Sequence, residues 1–268
     1  MRILLTSILY FFFIVVCNAQ ALHYNGLSLE YNQVIDAYQE MSKAHSNAAL
    51  LELGPTDSGR DLHLFLISGE PIDDDRTIQD IASGKAVIFV NNGIHPGESC
   101  GIDASVIFAA EVLEKKISKD VLIAIIPVYN VGGALNRGAF SRANQDGPKE
   151  HGFRGNARNL DLNRDFIKAD ALNTVSFYTV FQALQPHIFI DTHTSNGADY
   201  QYTMTLISTQ KDKLNPVLAE VLTQDLEPYL YKGMNKSGWP MSPYVNVFGY
   251  TPDKGFGAFL ETPRYASG

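Results

Sequence analysis

The sequence predicts an α/β fold, a mixed, mostly parallel twisted sheet flanked by helices. Three observations predict it. Short apolar runs rich in branched residues recur at 49–53, 62–67, 86–92, 121–128 and 187–192. Segments with helical spacing of apolar residues lie among them at 29–45, 101–115 and 171–184. The side chains with metal-binding chemistry follow directly after two of the strand-like runs, where ligands of open α/β sheets gather.

Taken in order, Leu29, Val34, Ile35, Tyr38 and Met41 mark the first helix. Two strands follow, with a turn from Gly54-Pro55 to Gly59 between them. Asp73-Asp74-Asp75 reads as a solvated turn, since no calcium-ligand spacing follows it. The strand from Ala86 stops at the Gly93 turn before the helix at 101–115. A further strand, Val121 to Val128, opens a Gly-, Asn- and Arg-rich loop from Tyr129 to Asn159, a length that is commonly functional. After the helix at 171–184 and the strand at 187–192 come a strand over Tyr200 to Ile207, a helix over about 211 to 230, and a strand from Phe256 to Leu260.

Residues 1–19 have the pattern of a secretory signal: Arg2, an apolar stretch from Ile8 to Val16, and a small residue, Ala19, at the cleavage point. That stretch is short for a bilayer span. Val16 is bulky for a lipoprotein site at Cys17. Residues 20–268 are then expected to form one catalytic domain without stable membrane insertion, secreted or periplasmic, with no linker to split it. Cys100 is its one thiol, so no internal disulfide is available and a buried core must hold the fold. The formal charge of −8 disfavours nucleic acid as a partner.

The chemistry concentrates in His95-Pro96-Gly97-Glu98 and, far downstream, His193 in Phe189-Ile190-Asp191-Thr192-His193. Two imidazoles and a carboxylate are the three protein ligands of a catalytic zinc that keeps a fourth position for water. A structural zinc would fill that position, usually with thiolates, and residues 20–268 hold only Cys100. Between the two sets runs Phe153-Arg154-Gly155-Asn156-Ala157-Arg158-Asn159-Leu160-Asp161-Leu162-Asn163-Arg164-Asp165-Phe166. Asn136-Arg137 lacks the Asp-Leu lead-in and reads as loop. His23, His45, His63, His151 and His187 fit no ligand pattern.

That stretch resembles the Arg-x-Asn-Ala-x-x-x-Asp-Leu-Asn-Arg-(Asn/Asp)-Phe signature of the zinc metallocarboxypeptidases, the carboxypeptidase A-like family. With His95, Glu98, His193 and Glu261 in Phe259-Leu260-Glu261, the resemblance runs from about Gly59 to Glu261 in the family's order. It implies Zn2+ held by His95, Glu98 and His193. Arg154 is implied to polarise the scissile carbonyl and stabilise the oxyanion, and Asn163 with Arg164 to grip the terminal carboxylate of a peptide substrate. Asp161 is implied to orient the first zinc histidine, and Glu261 to serve as general base. Arg158 falls at a variable position of the signature.

The sequence also departs from the family. The gap from Glu98 to His193 is shorter than in the digestive members, and the tyrosine that closes over substrate is either Tyr244 or Tyr250. The residue setting side-chain preference should fall within Trp239 to Gly255. Gly268 follows soon after Glu261, so a C-terminal helix is expected to be missing, with apolar sheet surface exposed in its place. Three alternatives stay open: a peptidoglycan-stem peptidase, an N-acyl amino acid deacylase, and a non-catalytic peptide-binding domain.

Overall fold

The computed structural model describes residues 25–73, 75–143, 145–195, 200–247 and 254–257. The leader expected at 1–19, Tyr250 and Glu261 lie outside them.

The chain divides into two compact units, Met1–Asn196 and Gly197–Gly268. In the first, helix α1 (Tyr31–Ala44) turns Tyr31, Val34, Tyr38 and Met41 inward at helical spacing. The Gln33 side chain closes its first turn by accepting from the Glu30 amide at 2.8 Å. Strands β1 (Ala48–Pro55) and β2 (Asp61–Ser68) pair as an antiparallel hairpin. A short helix α2 (Ile78–Ala82) precedes β3 (Ala86–Asn91), which is followed by helix α3 (Cys100–Leu113) and strand β4 (Val121–Ile126). Helix α5 (Leu172–Leu184) and strand β7 (Ile188–Asp191) complete the layer.

The sheet order is β1-β2-β4-β3-β7. It is the mixed sheet flanked by helices that the sequence predicts. Its pairings divide evenly: β1–β2 and β2–β4 are antiparallel, while β4–β3 and β3–β7 are parallel. The interior strand β2 buries Leu62, Leu64, Phe65, Leu66 and Ile67 completely, a run apolar except at His63, as expected of a strand covered on both faces. Phe65 and Ile67, with Val90, Ile123 and Ile125, pack with α1 and with Ile102, Val106, Ala109 and Leu113 of α3. A second cluster is aromatic. Phe177 of α5 lies between Tyr129, Phe89, Phe166 and Phe189, at ring separations of 5.3, 5.6, 5.5 and 5.8 Å.

The long loop expected over 129–159 is more structured than its composition suggests. It contains helix α4 (Val131–Leu135) and a ribbon of β5 (Arg137–Gly138) with β6 (His151–Gly152). Tertiary contacts supply what local preference lacks. Asn130 accepts from the Gly133 amide at 2.8 Å and donates to the Arg154 and Ile94 carbonyls, and Arg137 donates to the Leu29 and Glu150 carbonyls.

In the second unit, β8 (Met204–Leu206) pairs in parallel with β9 (Met241–Pro243), and β10 (Asn246–Val247) pairs antiparallel with β11 (Phe256–Gly257). The strand expected from Tyr200 to Ile207 is thus shorter. The helix expected over 211–230 begins with a 3-10 turn (Lys211–Lys213) and continues as α6 (Pro216–Glu220), a π-helical stretch (Val221–Leu226) and α7 (Glu227–Lys236). Among the described residues, no helix is long and apolar enough to cross a membrane.

Phe177 is 2 % exposed, so Phe177→Ala is expected to cost about 3–5 kcal/mol in urea or thermal unfolding. Phe108→Ala, at a side chain 45 % exposed, should stay within about 0.5 kcal/mol of the parent.

Candidate metal centre

Two neighbouring parallel strands deliver the site. β3 ends at Asn91 and leads within a few residues to His95 and Glu98; β7 ends at Asp191 and leads to His193. The two strand ends are register partners, Asn91 opposite Asp191. Two glycines permit the close packing around them. A Cβ at Gly97 would meet the Arg142 Cδ and the Gly152 carbonyl oxygen, each at 2.7 Å, and one at Gly101 would overlap the Thr192 side chain.

His95, Glu98 and His193 each present one ligand atom, and these atoms lie within 4.8 Å of one another. His95 Nδ1 is 3.1 Å from Glu98 Oε1, and His193 Nδ1 is 2.9 Å from Glu98 Oε2. The Glu98 side chain is 2 % exposed, whereas that of His193 is 31 % exposed. Burial alone would raise the Glu98 carboxyl, but hydrogen bonds from His193 and His95 outweigh it and hold the group far below the ordinary carboxylate range. Partial burial works to lower the His193 imidazole. Asp191 and Glu98 overcome it and lift the group to about 10.

Both imidazoles use their remaining nitrogen on a carboxylate. His95 Nε2 is 3.0 Å from Asp161 Oδ1, and His193 Nε2 is 2.7 Å from Asp191 Oδ2. Arg154 reaches Asp161 Oδ2 through Nε at 3.0 Å and through its NH2 group at 2.9 Å. Burial pushes the Asp161 carboxyl up, but the His95 hydrogen bond and the charges of Arg154 and Arg164 keep it well below its usual value. Asp161 also accepts from the Asn163 amide at 3.0 Å, closing the 3-10 turn Leu162–Arg164. Arg164 donates to the Asn163 carbonyl at 2.6 Å. The structure therefore gathers His95, Glu98, His193, Asp161 and Arg154, and sets Asn163 and Arg164 on the turn that begins at Asp161. Glu261 and Tyr250 lie outside the described residues, while Tyr244 donates its amide to the Leu206 carbonyl at 3.0 Å.

Arg158, set apart from the chemistry on sequence, donates to the Asp170 carbonyl at 2.9 Å. His187, likewise unassigned, accepts from the Val87 amide through Nδ1 at 3.1 Å.

Two contributors were not singled out by sequence reasoning. Asp191 stands two residues before His193, and the strand alternation that places both on one side was available as a signal. Arg142 donates to Glu98 Oε1 at 2.6 Å with a side chain only 9 % exposed. No local pattern marks it, because the β5–β6 ribbon brings it there.

The donor set fits zinc: two imidazole nitrogens and one carboxylate oxygen, with their outward nitrogens already fixed by carboxylates.

A family model described as zinc carboxypeptidase matches residues 34–217. Solved structures with a similar fold include a metallo-carboxypeptidase from Burkholderia cenocepacia, at 17 % identity and a TM-score of 0.54, covering 80 % of this chain and 52 % of that one. Carboxypeptidase A from Helicoverpa armigera shares 15 % identity at a TM-score of 0.59, over 82 % of this chain and 58 % of its own. A Pseudomonas aeruginosa metallo-carboxypeptidase, solved with (2-guanidinoethylmercapto)succinic acid, gives 15 % and 0.59, over 89 % and 56 %. The chain thus spans little more than half the length of these structures. No curated protein matches the sequence. With more than half of its residues matched by that model, the chain belongs to the zinc carboxypeptidase family.

Proposed function

We propose that this protein is an exported zinc-dependent carboxypeptidase that hydrolyses the C-terminal peptide bond of peptides with a free terminal carboxylate. The observation that carries this reading is the convergence of His95, Glu98 and His193 beside Arg154 and Asp161. Bound zinc supplies Lewis acidity that lowers the pKa of a coordinated water to about 7.

The chain's own residues divide the remaining work. Asp161 accepts from His95 Nε2 and so fixes the ring with Nδ1 toward Glu98. Arg154, held by Asp161 and with a side chain 36 % exposed, offers its guanidinium to the substrate carbonyl as negative charge develops there. Asn163 and Arg164 receive the terminal carboxylate, a task suited to a planar fork of N–H donors. Glu261 accepts the proton of the attacking water and returns it to the departing amine. The ligand of the Pseudomonas structure, a guanidino-substituted succinate, presents the same carboxylate chemistry and agrees with this reading. Residues 1–19 are read as the export signal, and the net charge of −8 agrees with peptide rather than nucleic acid as the partner.

Zinc analysis of the purified protein should give about one ion per chain, and chelation should abolish hydrolysis until zinc is restored. Glu261→Gln should keep the zinc but slow kcat by at least about 10²–10⁴-fold; turnover close to the parent rate would remove it as base. Arg164→Ala should raise KM for peptides with a free C-terminus, while C-terminally amidated peptides remain poor substrates of both proteins. Equal cleavage of free and amidated ends by the parent would sink the carboxypeptidase assignment. Preferential cleavage of N-acyl amino acids would favour a deacylase.

A further inference from the structure

We propose that Asp191 is a positioning residue of the metal centre, fixing the His193 ring with Nδ1 toward the ligand cluster, and that Asn91 holds Asp191 in place for this purpose. The inference rests on the reading that His95, Glu98 and His193 hold the zinc.

Three observations carry it. His193 Nε2 meets Asp191 Oδ2, the carboxylate at the end of β7, at 2.7 Å. An imidazole whose Nε2–H is committed to a carboxylate offers Nδ1 to a metal once that nitrogen gives up its proton, and that Nδ1 lies 2.9 Å from Glu98 Oε2, within the ligand cluster. Asp191 is itself constrained. Its side chain is 8 % exposed, and its other oxygen, Oδ1, accepts from Asn91 Nδ2 at 2.9 Å.

Asn91 is completely buried and is the register partner of Asp191 across the β3–β7 pair. Neighbouring bonds repeat the tie: the Thr192 amide donates to the Asn91 carbonyl at 3.1 Å, and the Thr192 hydroxyl to Asn92 Oδ1 at 2.9 Å. The relay Asn91–Asp191–His193 therefore links the strand that supplies His95 and Glu98 to the strand that supplies His193. It mirrors the Asp161 contact on His95, so that each imidazole has a carboxylate behind it. Partners of this kind typically change metal affinity by about 10–100-fold when lost.

The test is the zinc dissociation constant of the full chain, measured by competition with a chromophoric chelator. Asp191→Asn is expected to weaken zinc by about 10–100-fold, with the melting temperature of the chelator-treated protein unchanged. Asn91→Ala should weaken zinc in the same direction by a smaller factor. A dissociation constant for Asp191→Asn within about twofold of the parent overturns the proposal, as does a weakening that only accompanies unfolding of the chelated protein. If Asp191→Asn does not fold, Asn91→Ala decides, and an unchanged constant then overturns it. Because the readout is binding rather than turnover, a protein that shows the expected Asp191 dependence yet cleaves no peptide would overturn the proposed function and leave this inference standing.

Discussion

Both oxygens of Glu98 are committed. Oε1 faces His95 Nδ1 and the Arg142 guanidinium, while Oε2 faces His193 Nδ1 and the Thr194 amide. A carboxylate this deeply buried is costly unless its lone pairs are filled, and an unpartnered one would oppose folding by several kcal/mol. The local architecture follows from that requirement. β3 and β7 must be neighbours, the His95–Glu98 turn must accept Arg142 across Gly97, and α3 must approach Thr192 closely enough that only glycine fits at 101.

The sheet meets these demands through ordinary packing. β2, β4 and β3 are buried by α1 and α3 with their apolar partners, and the aromatic cluster around Phe177 holds α5 beside Phe89 and Phe189. Polar bonds then set the strand ends rather than the strand centres, which is where ligands of such sheets collect. The division between apolar interior and polar rim lets a rigid frame carry buried charge at its edge.

Much of this was legible in the sequence, for reasons that differ by element. β2, β3 and β4 announce themselves as apolar runs because they are covered on both faces, and α1 shows its spacing because it has one buried stripe. Spacing and resemblance pick out the candidate residues from His95 to His193, and the folded chain brings His95, Glu98, His193, Asp161 and Arg154 together. What stayed hidden depends on long-range contact. α4 and the β5–β6 ribbon lie in a glycine-rich stretch and are held by Asn130 and Arg137, so local propensity gives no sign of them. Arg142 is invisible for the same reason. The π-helical stretch from Val221 to Leu226 contains no residue that distinguishes it from an α-helix.

The separation of the proposed zinc ligands along the chain has a biosynthetic consequence. Glu98 and His193 are 95 residues apart, and they become neighbours only when β7 docks beside β3. Until that moment an emerging polypeptide offers an ion only the His95–Glu98 half of the cage, and loop closure over such a distance is slow compared with local structure. On the proposed ligand set, metal capture would follow completion of the sheet and add its binding energy to the finished fold.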